Sequence, residues 1–106
     1  MRTHPIDRKT PCVIRRKVSI PSDKKTTLKI VASHHLTGDW QLIVRANGKQ
    51  LASQIVGSKT AKQGWQELVI DLTPLAGKTA TLELENRANG WRNEWAYWNR
   101  VEIVSE

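Results

Sequence analysis

The chain has 106 residues, enough for a single hydrophobic core and too few for two. Its 39% hydrophobic and 25% charged residues are ordinary for a folded protein and exclude global disorder. No apolar run approaches the roughly 18–20 residues of a helical membrane span, and the start "MRTHPIDRKT" has no apolar signal-peptide core. The net charge of +7 lies in the first third: residues 1–30 hold nine Lys/Arg and two Asp, whereas residues 31–106 hold eight of each sign.

Residues 1–11, polar and punctuated by Pro5 and Pro11, read as a leader or linker, with residues 12–106 as one module. From there the dominant period is two. The stretch 12–20, "CVIRRKVSI", is strand-like until Pro21 stops it, and the lone Cys12 in it reads as a small core residue. In 26–34 the same period places Leu28, Ile30 and Ala32 on one face. Residues 39–57 predict two strands around Asn47-Gly48, a strong hairpin signal, with Trp40, Leu42 and Val44 sharing a face. Strands over 65–72, 78–86 and 95–104 follow. "TPLAG" (73–77) predicts one helical turn, capped by the Thr73 hydroxyl and closed by Gly77. About seven to eight short strands without a helical period predict an all-β antiparallel sandwich. The expected core comprises Leu42, Val44, Leu68, Ile70, Leu82, Leu84, Val101 and Ile103. With Val101 and Ile103 inward, strict alternation carries Trp95 and Tyr97 inward and Trp98, Arg100 and Glu102 outward. Trp65, heading its strand, is also assigned to the core.

Two segments resemble a known family. "GWQELVIDLTPLAGKTATLEL" (64–84) and the ending "AYWNRVEIV" (96–104) are similar to stretches of galactose-binding-like jelly-roll modules. The hairpin "GDWQLIVRANGKQL" (38–51) resembles those of modules appended to large secreted bacterial proteins. The likeness spans about residues 12–104 and implies a jelly roll that serves as a carbohydrate-binding module, a discoidin-type lectin or a structural spacer. It places the chain at the cell surface or outside the cell if it belongs to a larger exported protein. The chain is shorter than many such modules, so one edge of the sandwich is expected to be trimmed or supplied by a partner.

The candidate site is "NRANGWRNEWAYWNR" (86–100), which holds three of the five tryptophans and the only tyrosine. Trp91 in its loop and Trp98 on the assumed outer face offer flat indoles to the apolar face of a sugar ring. Asn89, Arg92, Asn93, Glu94 and Arg100 around them can bind hydroxyls. The alternative for Trp91 is a lid over the core. His34, His35 and Asp39 in "SHHLTGDW" do not predict a transition-metal site, because adjacent strand residues face opposite ways. The resemblance implies a structural calcium ion on oxygen ligands, yet the dense acidic cluster for one is missing. No phosphate loop, nucleophile elbow or convincing carboxylate pair points to an enzyme.

The sequence thus predicts a noncatalytic carbohydrate-binding module. Two alternatives stand beside it: a structural domain using its tryptophans against other domains of a parent protein, and a polyanion or nucleic-acid binder led by residues 8–25. The last is disfavoured, because no aromatics interleave with those cations. A basic third beside the tryptophans predicts uronic or sulfated polysaccharide; a basic third on the far side predicts neutral glycans.

Overall fold

The computed structural model describes residues 1–35, 37–57, 64–90 and 94–106. Eight strands form: β1 (Arg2–Thr3), β2 (Cys12–Ser19), β3 (Thr26–His34), β4 (Trp40–Ala46), β5 (Lys49–Val56), β6 (Gln66–Asp71), β7 (Thr79–Arg87) and β8 (Ala96–Ser105). They make two four-stranded antiparallel sheets, sheet A in the order β1-β8-β3-β6 and sheet B in the order β2-β7-β4-β5. The pairs β1–β8, β2–β7, β3–β6 and β4–β5 nest within one another, as in a long hairpin rolled up on itself. That is the jelly-roll connectivity.

Alternation decides which face each strand buries. Leu28, Ile30 and Ala32 of β3 face Trp40, Leu42, Val44 and Ala46 of β4 and Leu82 and Leu84 of β7 across the sandwich, all buried. Leu68 and Ile70 of β6 pack against this core while remaining half-buried. The β4–β5 turn takes left-handed backbone at both central residues, Asn47 (φ 51°) and Gly48 (φ 81°), the conformation a tight hairpin requires. Asn47 then ties the hairpin to β7: its amide donates to the Thr81 carbonyl at 2.9 Å, and its Oδ1 accepts the Thr81 amide at 2.9 Å.

The turn at Thr73–Leu75 is a single 3-10 turn closed by Gly77 at φ 80°. The Thr73 hydroxyl does not cap it; that oxygen accepts the Thr26 amide at 3.1 Å. Asp71 Oδ1 instead accepts the Thr73 amide at 3.0 Å.

The strand phase of β8 departs from strict alternation. Val31 of β3 lies opposite Arg100, but the next residue, Ala32, lies opposite Trp98, so Asn99 is an extra residue without a partner. This bulge shifts the side-chain phase by one. Ala96 and Trp98 point inward before it, and Val101 and Ile103, opposite the inward-facing Ile30 and Leu28, point inward after it. Trp98 is therefore core, 6% exposed, with its ring centroid 5.1 Å from that of buried Trp40. The expectation of an outward Trp98 and inward Trp95 and Tyr97 is corrected accordingly. Val101 and Ile103 do face the interior, yet they are 46% and 37% exposed, because no strand among the described residues covers them.

Residues assigned to a leader enter the fold. β1 pairs with β8 through Arg2 with Tyr97 and Thr3 with Ala96. The Thr3 hydroxyl accepts hydrogen bonds from two core side chains, Asn86 Nδ2 at 3.0 Å and Trp98 Nε1 at 2.9 Å.

Candidate functional site

The four expected site residues that are described, Asn89, Glu94, Trp98 and Arg100, do not converge. Trp91, Arg92 and Asn93 lie outside the described residues. Asn89 is exposed, and its Nδ2 donates to Asp39 Oδ2 at 2.9 Å, joining two loops at one end of the sandwich. Glu94 is buried, with a carboxylate oxygen 3.5 Å from where a Cβ on Gly90 would sit. Trp98 is in the core. Arg100 is exposed on the outer face of sheet A, its Nε 3.6 Å from Glu102 Oε2.

A different aromatic group is assembled on that same outer face. Ser33 of β3 lies opposite Tyr97 of β8. On its other side the β3–β6 pairing ends at Ala32 and Gln66, which leaves Ser33 beside the Gly64–Trp65 approach to β6. The Ser33 hydroxyl donates to the carbonyl of Gly64, which pins the approach to that strand. Tyr97, Ser33 and Trp65 thus lie at the same end of sheet A, and Trp65 and Tyr97 border one depression. Trp65 is 45% exposed and Tyr97 half-exposed.

The margin of this group is polar. Arg2 extends it beyond Tyr97, and its guanidinium carbon sits 5.1 Å from the Trp95 ring centroid. His4 meets the same indole edge-on at 4.7 Å between centroids, so Trp95 acts as a post that holds Arg2 beside the depression. The depression is shallow, about 310 Å³, and Met1, Arg2 and Asn99 also border it. The next row along the face is Arg100, Val31 and Glu67, and the one after it Glu102, Lys29 and Val69.

This face is electrically balanced. Arg2, Lys29 and Arg100 are matched by Glu67, Asp71 and Glu102. The basic first third mostly lies elsewhere. Arg15 and Lys17 stand on the outer face of sheet B, Arg15 with its guanidinium 2.8 Å from Glu83. Arg16 faces the gap between the sheets, and Lys24 and Lys25 occupy the β2–β3 turn.

Sequence reasoning missed Trp65 and Tyr97 for different reasons. For Trp65 the signal was present: if Leu68 and Ile70 point inward, alternation puts residues 65, 67 and 69 outside. For Tyr97 the bulge at Asn99 hid the phase. Among the described residues no three His, Cys, Asp or Glu side chains gather as metal ligands would. Among the described residues no helix is long and apolar enough to cross a membrane. No family model, curated protein or solved structure matches the chain.

Proposed function

We propose that the protein is a noncatalytic carbohydrate-binding module whose platform is the Tyr97–Ser33–Trp65 group on the outer face of sheet A. The observation that carries this reading is a pair of rings, exposed Trp65 and half-buried Tyr97, that border one depression with Ser33 beside both. A pyranose ring presents an apolar C–H face that stacks on an indole or phenol, and its hydroxyls need hydrogen-bonding groups at the margin. Arg2, Asn99, Arg100 and Glu67 supply those groups. Platform residues on strands are held more rigidly than residues on loops, which suits a preorganised site. The resemblance to galactose-binding-like modules points in the same direction.

The ligand favoured is a neutral glycan. Three cations and three carboxylates share the platform face, so its field offers no preference for polyanions. The test is a tryptophan-fluorescence titration with neutral, uronic and sulfated oligosaccharides in parallel. Quenching by neutral chains, lost in Trp65→Ala, supports the reading. Silence across all three classes removes it, and binding of sulfated chains alone with a steep salt dependence moves the ligand to the basic strands.

A further inference from the structure

The outer face of sheet B buries a carboxylate between two arginines. On β7, Glu83, Glu85 and Arg87 point outward, because Leu82, Leu84 and Asn86 alternate with them and are buried in the core. Glu85 is nevertheless only 5% exposed, and Ile43, its partner on β4, is equally buried. Arg45, opposite Glu83, comes from the row on one side of that pair, and Arg87 from the row on the other. Arg45 Nη1 pairs with Glu85 Oε1, and Arg87 Nη2 lies 3.3 Å from Glu85 Oε2. The two guanidinia thus converge on the middle row, and both side chains stay partly open to solvent, 25% for Arg45 and 37% for Arg87.

Stability alone does not account for this cluster. Apolar side chains of similar size would avoid the desolvation of three charges, and such replacements are often neutral or stabilising. Two guanidinia on one carboxylate also leave a positive charge uncompensated in a half-buried place. The Nε–H of Arg87 is buried with no partner, and beyond Glu85 neither guanidinium has another partner among the described residues. The excess continues across the face. With Arg15 and Lys17 of β2, the outward strand residues of sheet B carry four cations against two carboxylates, and none of them is aromatic. Arg15 and Arg45 flank Glu83, two strand spacings or about 9–10 Å apart at the backbone.

We infer that this face binds an acidic polysaccharide, with Arg45 and Arg87 clamping one of its sulfate or carboxylate groups and Arg15 and Lys17 meeting the next. Guanidinia held in place by a carboxylate present their remaining N–H groups in fixed directions, which suits an oxyanion taken by two or more hydrogen bonds. The incoming group supplies the missing negative charge and gives Arg87 Nε an acceptor. With no ring among these outward residues, the face offers nothing for nucleic-acid bases to stack on and no aromatic anchor for a lipid interface. A sugar chain that carries its charges on projecting groups fits such a flat, guanidinium-rich surface. The site lies on the opposite sheet from the Trp65–Tyr97 depression and stands whether or not that depression binds a neutral glycan.

The probes are a heparin-type sulfated hexasaccharide and an oligogalacturonate of the same length, titrated by calorimetry into the isotope-labelled chain. At least one should bind, more weakly as salt rises, and should shift the amide resonances of residues 41–45 and 83–87. Which of the two binds tells whether the clamped group is a sulfate or a carboxylate. Arg45→Lys combined with Arg87→Lys keeps both charges on Glu85 but loses the planar forks, and should weaken binding about tenfold. Arg15→Gln, at a side chain 66% exposed and so tolerant of change, should weaken it about threefold. Lys24→Gln combined with Lys25→Gln removes two charges from the β2–β3 turn and should change it less than about twofold. The inference is overturned if neither probe binds at low salt, or if the shifts fall on sheet A or on residues 1–11. It is equally overturned if the double lysine variant folds and binds as tightly as the unsubstituted protein. Double-stranded DNA of equal charge binding as tightly as the sugar would make the face a general polyanion surface and overturn it as well.

Discussion

The indole N–H of Trp98 in β8 donates to the hydroxyl of Thr3 in β1 at 2.9 Å, fastening the first strand to the core through a side chain from the last. Asn86 Nδ2 donates to the same oxygen at 3.0 Å. Asn86 and Trp98 are both buried, so removing the shared acceptor leaves two donors without a partner in a poorly hydrated place. Thr3→Val, close in shape but with no oxygen, is expected to cost about 2–6 kcal/mol, at roughly 1–3 kcal/mol for each of the two orphaned groups. Thr3→Ser keeps the acceptor and should cost well under half as much. Urea unfolding of the two variants checks this, and equal stabilities would show that β1 is dispensable to the fold.

The two tryptophans that the bulge separates by role should separate in experiment. Trp98 packs on Trp40, and Trp98→Ala is expected to destabilise by about 3–5 kcal/mol. Trp65 stands nearly half in solvent, and Trp65→Ala should change stability by no more than about 0.5 kcal/mol beyond the small packing it loses. Thermal and urea unfolding read both. Glycan-dependent fluorescence, where present, should vanish in Trp65→Ala while its circular dichroism stays unchanged.

The uncovered length of β8 makes a third contrast, between residues that face inward and residues that are covered. Leu28 and Ile103 lie opposite each other and point the same way, but only Leu28 is buried. Leu28→Ala is expected to cost about 2–5 kcal/mol. Val101→Ala, which trims a side chain already in contact with water, should cost under about 1 kcal/mol. A large loss at Val101 in the isolated chain would mean that this length is covered in solution by another part of the protein.

Much of the fold could be read from the residues because each β-strand states its phase locally. The predicted strand over 26–34 coincides with β3, and the other predicted strands lie within a residue or two of those observed, since Pro21, Asn47-Gly48 and the Pro74–Gly77 turn punctuate them. β1 was not legible: two residues of a polar segment carry no period, and their strand character comes entirely from pairing with β8. The candidate site was less legible than the fold, for one physical reason. A single unpaired residue, Asn99, exchanges the two faces of β8, and nothing in "AYWNRVEIV" distinguishes a bulged strand from a regular one. The tryptophan density around 86–100 drew the eye to that segment, but among the described residues the rings bordering the depression on the outer face of sheet A are Tyr97 and Trp65, and Arg100 alone of the described expected residues shares that face.

The turn between β6 and β7 carries a pH dependence whose sign follows from its hydrogen bonds. Asp71 lies in solvent at the end of β6, and its carboxyl is held below the ordinary 3.8, first by a side-chain hydrogen bond from Thr73 and then by the Thr73 backbone amide. The Thr73 amide reaches Oδ1 at 3.0 Å. Both donors favour the ionised form, and Lys25 adds a smaller attraction in the same direction, against a small opposing effect of burial. A carboxyl whose folded-state pKa is depressed binds protons less readily than in the unfolded chain. Its contribution to stability is therefore complete above the unfolded value and is lost as pH falls through the folded one. The expected outcome is a difference in stability between the unsubstituted protein and Asp71→Asn that is constant at neutral pH and shrinks below about pH 3.8. Asparagine keeps an acceptor for the Thr73 amide but carries no charge, so the comparison isolates the ionised part of the contact. Urea midpoints at pH 7, 5, 4 and 3 measure it, with Glu102→Gln as a control on the same face. A difference that grows as the solution is acidified would mean that Asp71 is raised rather than depressed, and that the Thr73 contacts do not form in solution.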